Sequence, residues 1–193
     1  MTKRLRPSST LHRLLLASPV GPLLVEHDGR AVHAVHFWEQ GKHPPAGTRV
    51  EPTRDDVLGW QVAKQLREYF AGARRDFDLP LAAEGTDFQQ RVWEALRAIP
   101  FGRTCSYRDV AAAIGVPRGS QAVGQANRRN PIPIVVPCHR VLGAKGGIGG
   151  FMGAGPDGPG SSIKRWLLDH ERSLCPPEEA AAPDLFGTHF LSS

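Results

Sequence analysis

One short run concentrates the reactive side chains of this chain: Pro137-Cys138-His139-Arg140. A cysteine attacks as its thiolate, and a free thiol titrates near about 8.5, so Cys138 needs a base or a cation to activate it. His139 is adjacent, but neighbours on a strand point to opposite faces. A Cys138–His139 relay therefore demands an irregular backbone or a bridging water. A third group should orient the imidazole, as a carboxylate does in Cys-His hydrolases. Glu171, near the end of the last helical segment, is the candidate. The plain alternative is an inert buried thiol, since cysteine is among the most buried residues. Cys105 and Cys175 lack such neighbours; the first reads as incidental and the second as part of a tail. Three cysteines with no Cys-x-x-Cys pair make neither a disulfide framework nor a structural zinc site. The eight histidines add no metal spacing, so no metal or cofactor is expected.

The elements that must position this run are readable on both sides of it. The apolar stretch Ile132–Val136 reads as a buried strand ending at Cys138. Upstream, Ser106 is an N-cap candidate with Asp109 three residues on, and Gly115 closes that helix. A second helix follows from about Gly119 to Arg129, where Pro131 forbids continuation. Two short helices with a glycine in the turn form a helix-turn-helix pattern, although an ordinary α-hairpin has the same spacing. Six arginines and a single acid, Asp109, lie between Arg103 and Arg140. After the reactive run comes a glycine-rich loop, and Ser161 or Ser162 starts a last helix with Ile163, Trp166, Leu167 and His170 on one side.

The rest of the chain is less eventful. Leu23–His27 and Ala31–Phe37 flank Asp28-Gly29, which predicts a hairpin with a type I′ turn. A helix starts near Thr53–Asp56, with Leu58, Val62, Leu66 and Phe70 as its apolar stripe. Thr86 and Gln89 make a capping box for a further helix, with Phe88, Val92, Leu96 and Ile99 inward. The 193 residues are 40% hydrophobic and 22% charged, which excludes a disordered polyelectrolyte. No apolar run reaches the roughly 20 residues of a membrane span, and the basic N-terminus lacks an export-type apolar core, so a cytoplasmic protein is expected. The net charge of +5 is uneven: +2 over residues 1–85, +6 over 86–172 and −3 over 173–193. A local positive excess suits a polyanionic partner.

The run from Asn130 to Val141, Asn-Pro-Ile-Pro-Ile-Val-Val-Pro-Cys-His-Arg-Val, closely resembles the active-site signature of the O6-alkylguanine-DNA alkyltransferases. The resemblance extends to Ser18-Pro19-Val20-Gly21, Thr86-Asp87-Phe88-Gln89, Ser106-Tyr107, Ala122-Val123-Gly124 and Trp166-Leu167-Leu168, and so covers about residues 12–172. It implies an α+β chain: a ribonuclease-H-like α/β domain (12–85) and a winged helix-turn-helix domain (86–172), between an N-terminal extension (1–11) and an acidic tail (173–193). It implies a single-turnover repair protein that flips an O6-alkylguanine (or O4-alkylthymine) out of duplex DNA and keeps the alkyl group on Cys138. A monomer is expected, with cooperative binding along DNA left open.

Residue by residue, the resemblance makes Cys138 the acceptor, His139 the base acting through a water, and Glu171 its orienting carboxylate. Tyr107 matches a proton donor to the leaving guanine, and Asn130 a hinge that braces the helix-turn-helix. Pro133, Val141, Phe151, Met152, Gly153 and Lys164 match the substrate pocket. Ser106, Gly119, Ser120, Gln121, Ala122, Gly124, Arg128 and Arg129 match the DNA-contacting helix-turn-helix, whose small residues let a helix approach the minor groove. Two departures stand out. Gln121 occupies a position where the family carries an arginine that fills the gap left by the flipped base. Ala154–Ser161 reads as an insertion in the loop that walls the alkyl pocket. Cys138 argues against a lesion-recognition module that lacks the cysteine, but Gln121 and the altered loop leave a lesion-recognition module with impaired transfer as the alternative; a hydrolase would have no use for the helix-turn-helix, and a regulator with a zinc-binding domain would need a cysteine cluster that this sequence does not show.

Overall fold

The computed structural model describes residues 11–39, 41–143, 146–148 and 159–176. The chain divides into two compact units, residues 1–84 and 85–193.

The first unit is an antiparallel sheet and one helix. Strands β1 (His12–Leu16), β2 (Leu23–His27) and β3 (Val32–Phe37) lie in the order β1-β2-β3. The hairpin between β2 and β3 stands where Asp28-Gly29 places it, but its turn is wider than type I′. Asp28 Oδ1 accepts from the amides of Arg30 and Ala31, each at 2.8 Å. The side chain thus makes the turn, as Asp often does, and the register shifts between Glu26 and His27. β1 was not foreseen as a strand; its Leu14 and Leu16 are buried.

Helix α1 (Val57–Phe70) is capped by Asp56, which accepts from Gly59 N at 2.9 Å. Its buried stripe is Leu58, Val62, Leu66 and Tyr69, while Phe70 is half-buried. The expected four-residue spacing drifts on a helix of 3.6 residues per turn. Eleven residues beyond Leu58 the helix is about 20° from the starting direction, and twelve beyond it is about 120° away. His27 ties the hairpin to this helix start. It is fully buried, its Nδ1 accepts from Gly29 N at 3.2 Å, and its Nε2 lies 3.3 Å from Asp56 Oδ2.

The second unit holds helices α2 (Asp87–Arg97), α3 (Tyr107–Ala113), α4 (Ser120–Arg128) and α5 (Pro159–Leu174), with short strands β4 (Cys105–Ser106) and β5 (Val141–Leu142). Both capping boxes form, Thr86 with Gln89 and Ser106 with Asp109. α3 and α4 are the two helices of the helix-turn-helix pattern. Trp93 Nε1 donates to Ala126 O at 2.9 Å and pins α2 to α4. β4 and β5 pair in parallel, Cys105 with Val141 and Ser106 with Leu142. That pairing sets the start of α3 beside the segment that follows Cys138.

The structure corrects three further expectations. Ile132–Val136 is a tight turn, not a strand: Val136 N donates to Ile132 O at 2.9 Å, and Pro133 bridges to Val136. Buried Ile134 carries φ +75°, which is strained for a β-branched residue. α5 buries Ser161, Lys164, Leu167, Leu168 and Glu171, whereas Trp166 and His170 stack on its flank with centroids 4.9 Å apart and are half-buried. Cys175 is not a loose tail residue; it is buried, with Sγ 3.9 Å from Phe101 O. The expected pocket residues Phe151, Met152 and Gly153, most of the insertion, and the acidic tail from residue 177 lie outside the described residues.

Candidate active site

Cys138 opens a 3₁₀ turn, Cys138–Arg140, rather than ending a strand. Pro137, at φ −80° and ψ 62°, forms the inverse γ-turn that leads into it, with Cys138 N donating to Val136 O at 2.8 Å. The irregular backbone removes the strand's alternation, so Cys138 and His139 are no longer bound to opposite faces. All three residues of the turn are buried.

Glu171 gathers four donors around its carboxylate. His139 Nε2 lies 2.8 Å from Oε1, and Arg140 Nη2 donates to the same oxygen at 3.0 Å. Arg140 Nε and Gly102 N donate to Oε2 at 2.9 and 3.0 Å. Arg140 also donates to Ile99 O at 2.6 Å and lies over the Phe101 ring, 5.7 Å from its centroid. Burial would push the Glu171 carboxyl up, but the charges and hydrogen bonds of His139 and Arg140 outweigh it and hold the group below the usual carboxylate range. Burial lowers His139 despite the pull of Glu171. The imidazole is therefore neutral at rest. A ring nitrogen facing a carboxylate carries the hydrogen, so the proton sits on Nε2. Nδ1 then holds a lone pair, and it is buried with no hydrogen-bond partner among the described residues. This is the form of a histidine waiting to accept a proton.

The nucleophile is masked at rest. Burial pushes the Cys138 thiol up to about 11, opposed by a hydrogen bond from the Asn130 side chain and by the charge of Lys164. Lys164 is itself buried and donates to Val141 O at 2.6 Å; burial lowers it to about 8, and Cys138 opposes that shift. Cys105 is pushed higher, to about 12, by burial and then by Asp109. Cys138, followed directly by the His139 that Glu171 holds, is the thiol with the machinery for deprotonation.

Asn130 spans the turn: Nδ2 donates to Val136 O at 2.8 Å, and Oδ1 accepts from Ile132 N at 3.0 Å. It follows α4 directly and so couples that helix to the Cys138 turn. Tyr107, the first residue of α3, is half-buried; burial pushes its hydroxyl up, and the nearby Cys138 adds to that shift. Pro133 is buried in the same turn and Val141 leads out of it. Away from this cluster, Ser120, Gln121, Ala122, Arg128 and Arg129 are exposed on α4, and Ser106, Gly119 and Gly124 are half-buried. Gln121, Gln125 and Arg128 follow one another at helical spacing, so α4 turns one polar stripe to solvent while Val123, Ala126 and Asn127 face inward.

Sequence reasoning missed several members of the cluster. Arg140 was only part of the motif, yet it neutralises Glu171. Gly102 is required for its backbone: its φ is +73°, its amide is spent on Glu171, and a Cβ there would lie 2.5 Å from Cys175 Cβ. Asn127, buried on α4, donates to Cys138 O at 3.3 Å; an asparagine inside an otherwise apolar stripe is the one signal that pointed to it. Among the described residues, only His12, His27 and Asp56 bring three metal-type donors within 4.8 Å of one another. Gly29 N donates to His27 Nδ1, so the proton of that imidazole sits on Nε2, facing Asp56. The trio reads as a strut of the first unit.

Comparison with known proteins agrees with this geometry. Residues 87–173 match the family model described as the DNA-binding domain of 6-O-methylguanine DNA methyltransferase, and residues 11–83 match the ribonuclease-like domain of the same family. The methylated-DNA–protein-cysteine methyltransferase of Mycobacterium tuberculosis is 42% identical over 168 residues, 87% of this chain and 96% of the relative. The constitutive methyltransferase of Bacillus subtilis is 51% identical over 159 residues, 80% and 92% of the two chains. The crystal structure of M. tuberculosis O6-methylguanine methyltransferase superposes with a TM-score of 0.74 at 41% identity, covering 87% of this chain and 96% of that one. The same enzyme in complex with DNA gives a TM-score of 0.70 at 40% identity, covering 86% and 96%. With its buried cysteine, its histidine held by a carboxylate and its two matched domains, the chain belongs to the 6-O-methylguanine DNA methyltransferase family.

Proposed function

We propose that this protein repairs duplex DNA by moving the alkyl group of O6-alkylguanine, and of O4-alkylthymine, irreversibly onto Cys138. The observation that carries the reading is the Cys138–His139–Glu171 arrangement: a buried thiol beside a neutral imidazole whose Nε2 is held by a carboxylate and whose Nδ1 is left to accept a proton.

The chemistry follows from that polarity. The thiol proton passes through a water to His139 Nδ1, and Glu171 stabilises the imidazolium that forms. Cys138 sulfur attacks the alkyl carbon; the S–C bond forms as the C–O6 bond breaks, and its electron pair goes to guanine. A guanine anion leaves poorly, so Tyr107 gives its hydroxyl proton to the ring. The proton taken by His139 then restores the phenol. The thioether has no leaving route, so each chain acts once and needs no cofactor.

The target atom lies inside the helix, so the nucleotide is flipped out to reach a buried thiol. The exposed polar stripe of α4 and its small residues suit the minor groove, with Arg128 and Arg129 on phosphates. Pro133, Val141 and Lys164 line the base site, and residues 12–85 and 86–172 form the two domains. The protein acts as a monomer in the cytoplasm. The test is incubation with duplex carrying a labelled alkyl group on O6 of guanine. Label moves to protein in wild type and not in Cys138→Ala. Binding without transfer by wild type would mark a recognition module and overturn the reading.

A further inference from the structure

Asn127 belongs to none of the roles above, yet it sits between the two groups that carry the reaction. It lies on the inward face of α4 and is 5% exposed. Its Nδ2 donates to the Cys138 carbonyl at 3.3 Å, and its side chain lies within reach of the Tyr107 hydroxyl and favours the ionised phenol. One turn earlier, Gly124 lies beside the Tyr107 ring: a Cβ there would be in ordinary contact, 4.0 Å from Cδ1 and Cε1 of the ring. The phenol thus lies along α4, its ring over Gly124 and its hydroxyl at Asn127.

The orientation of the amide is fixed by its partners. The Cys138 carbonyl only accepts, so the nitrogen must face it. Flipping the amide would set oxygen against oxygen. The carbonyl oxygen Oδ1 is buried and has no hydrogen-bond partner among the described residues. The NH₂ group is therefore the end turned to both partners, with one hydrogen on Cys138 O and the second on the side of the Tyr107 hydroxyl.

We infer that Asn127 is a positioning residue for the proton transfer: its amide donates to the Tyr107 oxygen, turns the phenolic hydrogen away from α4 toward the flipped base, and stabilises the phenolate that forms. Without that donor, Tyr107 would face ionisation in a site where burial, Cys138 and Cys105 all oppose it. A hydrogen bond to an ionised oxygen is about twice as strong as one to a neutral oxygen, so the gain falls on the transition state. The same side chain holds the backbone of the nucleophile, which keeps donor and acceptor of the reaction in one frame. The inference rests on the alkyl-transfer reading.

The test is single-turnover transfer from O6-methylguanine duplex at saturating protein, with duplex affinity measured separately in a Cys138→Ser background. Asn127→Leu should slow transfer by roughly ten- to a hundred-fold and leave duplex affinity within about two-fold. Its effect should shrink in a Tyr107→Phe background to the part carried by the Cys138 carbonyl contact, because the phenol part of both changes removes one device. Asn127→Asp is close to isosteric and reverses the polarity, since its carboxylate would accept the phenolic hydrogen. Its transfer should be slow at neutral pH and recover toward wild type, at matched pH, as the introduced carboxyl takes up its proton. Full activity of Asn127→Leu, or losses that multiply with Tyr107→Phe, would overturn the inference. If Asn127→Leu does not fold, the pH profile of Asn127→Asp decides: a loss that does not recover as pH falls overturns it. Absence of transfer by wild type would instead refute the functional reading itself.

Discussion

Replacing Glu171 by glutamine changes almost no volume and removes one charge, so it isolates what the carboxylate does. Its two oxygens accept four donors between 2.8 and 3.0 Å: His139 Nε2, Arg140 Nη2 and Nε, and Gly102 N. A glutamine offers one oxygen and one NH₂. Whichever way it is turned, two of the four donors lose their acceptor and face another donor. The Arg140 charge is also left buried without its counter-ion. Breaking a buried pair from one side costs about 3–5 kcal/mol. At about 2–4 °C per kcal/mol for a chain of this size, the melting temperature should fall on the order of 10 °C.

The pH dependence of stability has a definite sign. The folded carboxyl is held below the usual range. Its contribution is therefore complete above the ordinary value near about 4.3, and is lost as pH falls through the lower folded value. Glu171→Gln should flatten that acid limb. Transfer should slow by about 10²–10⁴-fold, the usual worth of positioned acid–base catalysis, because His139 loses the partner that holds its proton on Nε2. The assays are thermal melts from pH 3 to 8 (roughly the span of carboxylate and histidine titration) and single-turnover transfer. Unchanged melting with unchanged transfer would refute the reasoning, since both depend on the same four bonds.

Other expectations follow from single contacts. Gly102→Ala should destabilise by about 1–2 kcal/mol from its positive φ alone, with a further loss from the clash on Cys175; adding Cys175→Gly should restore the clash part and not the backbone part in chemical melts. Gln121→Arg should tighten duplex binding and steepen its salt dependence in titrations, and unchanged affinity would remove the idea that the missing arginine weakens grip. Burial lowers His27 below its ordinary 6.5. The folded first unit therefore binds fewer protons there than the unfolded chain, and loses stability as pH falls below about 6.5. His27→Asn should be less stable at neutral pH and flatter across that range.

Much of the site was legible because its residues are adjacent in sequence or signalled by capping. Ser106 and Asp109 announced the start of α3, and Cys138, His139 and Glu171 stood out by chemistry. Periodicity failed where function buries polar groups. α5 was read from its apolar residues, so its inward face was misplaced; Lys164 and Glu171 occupy that face because Val141 O, His139 and Arg140 satisfy them. Ile132–Val136 looked like a strand by composition, but the prolines at 131, 133 and 137 and the positive φ of Ile134 fold it into turns. Those turns lead into the 3₁₀ turn that buries both Cys138 and His139. Cys175 and Gly102 were invisible because their contact spans 73 residues of sequence and depends on a close backbone approach.

The central claim is that Cys138 accepts one alkyl group and keeps it. The most direct measurement is peptide mass analysis after incubation with excess O6-methylguanine duplex. The account predicts one methyl group per chain, on the peptide carrying Cys138, with Cys105 and Cys175 unmodified and no further turnover on added DNA. Methylation elsewhere, continued turnover, or an unmodified Cys138 in protein that binds the duplex would contradict it.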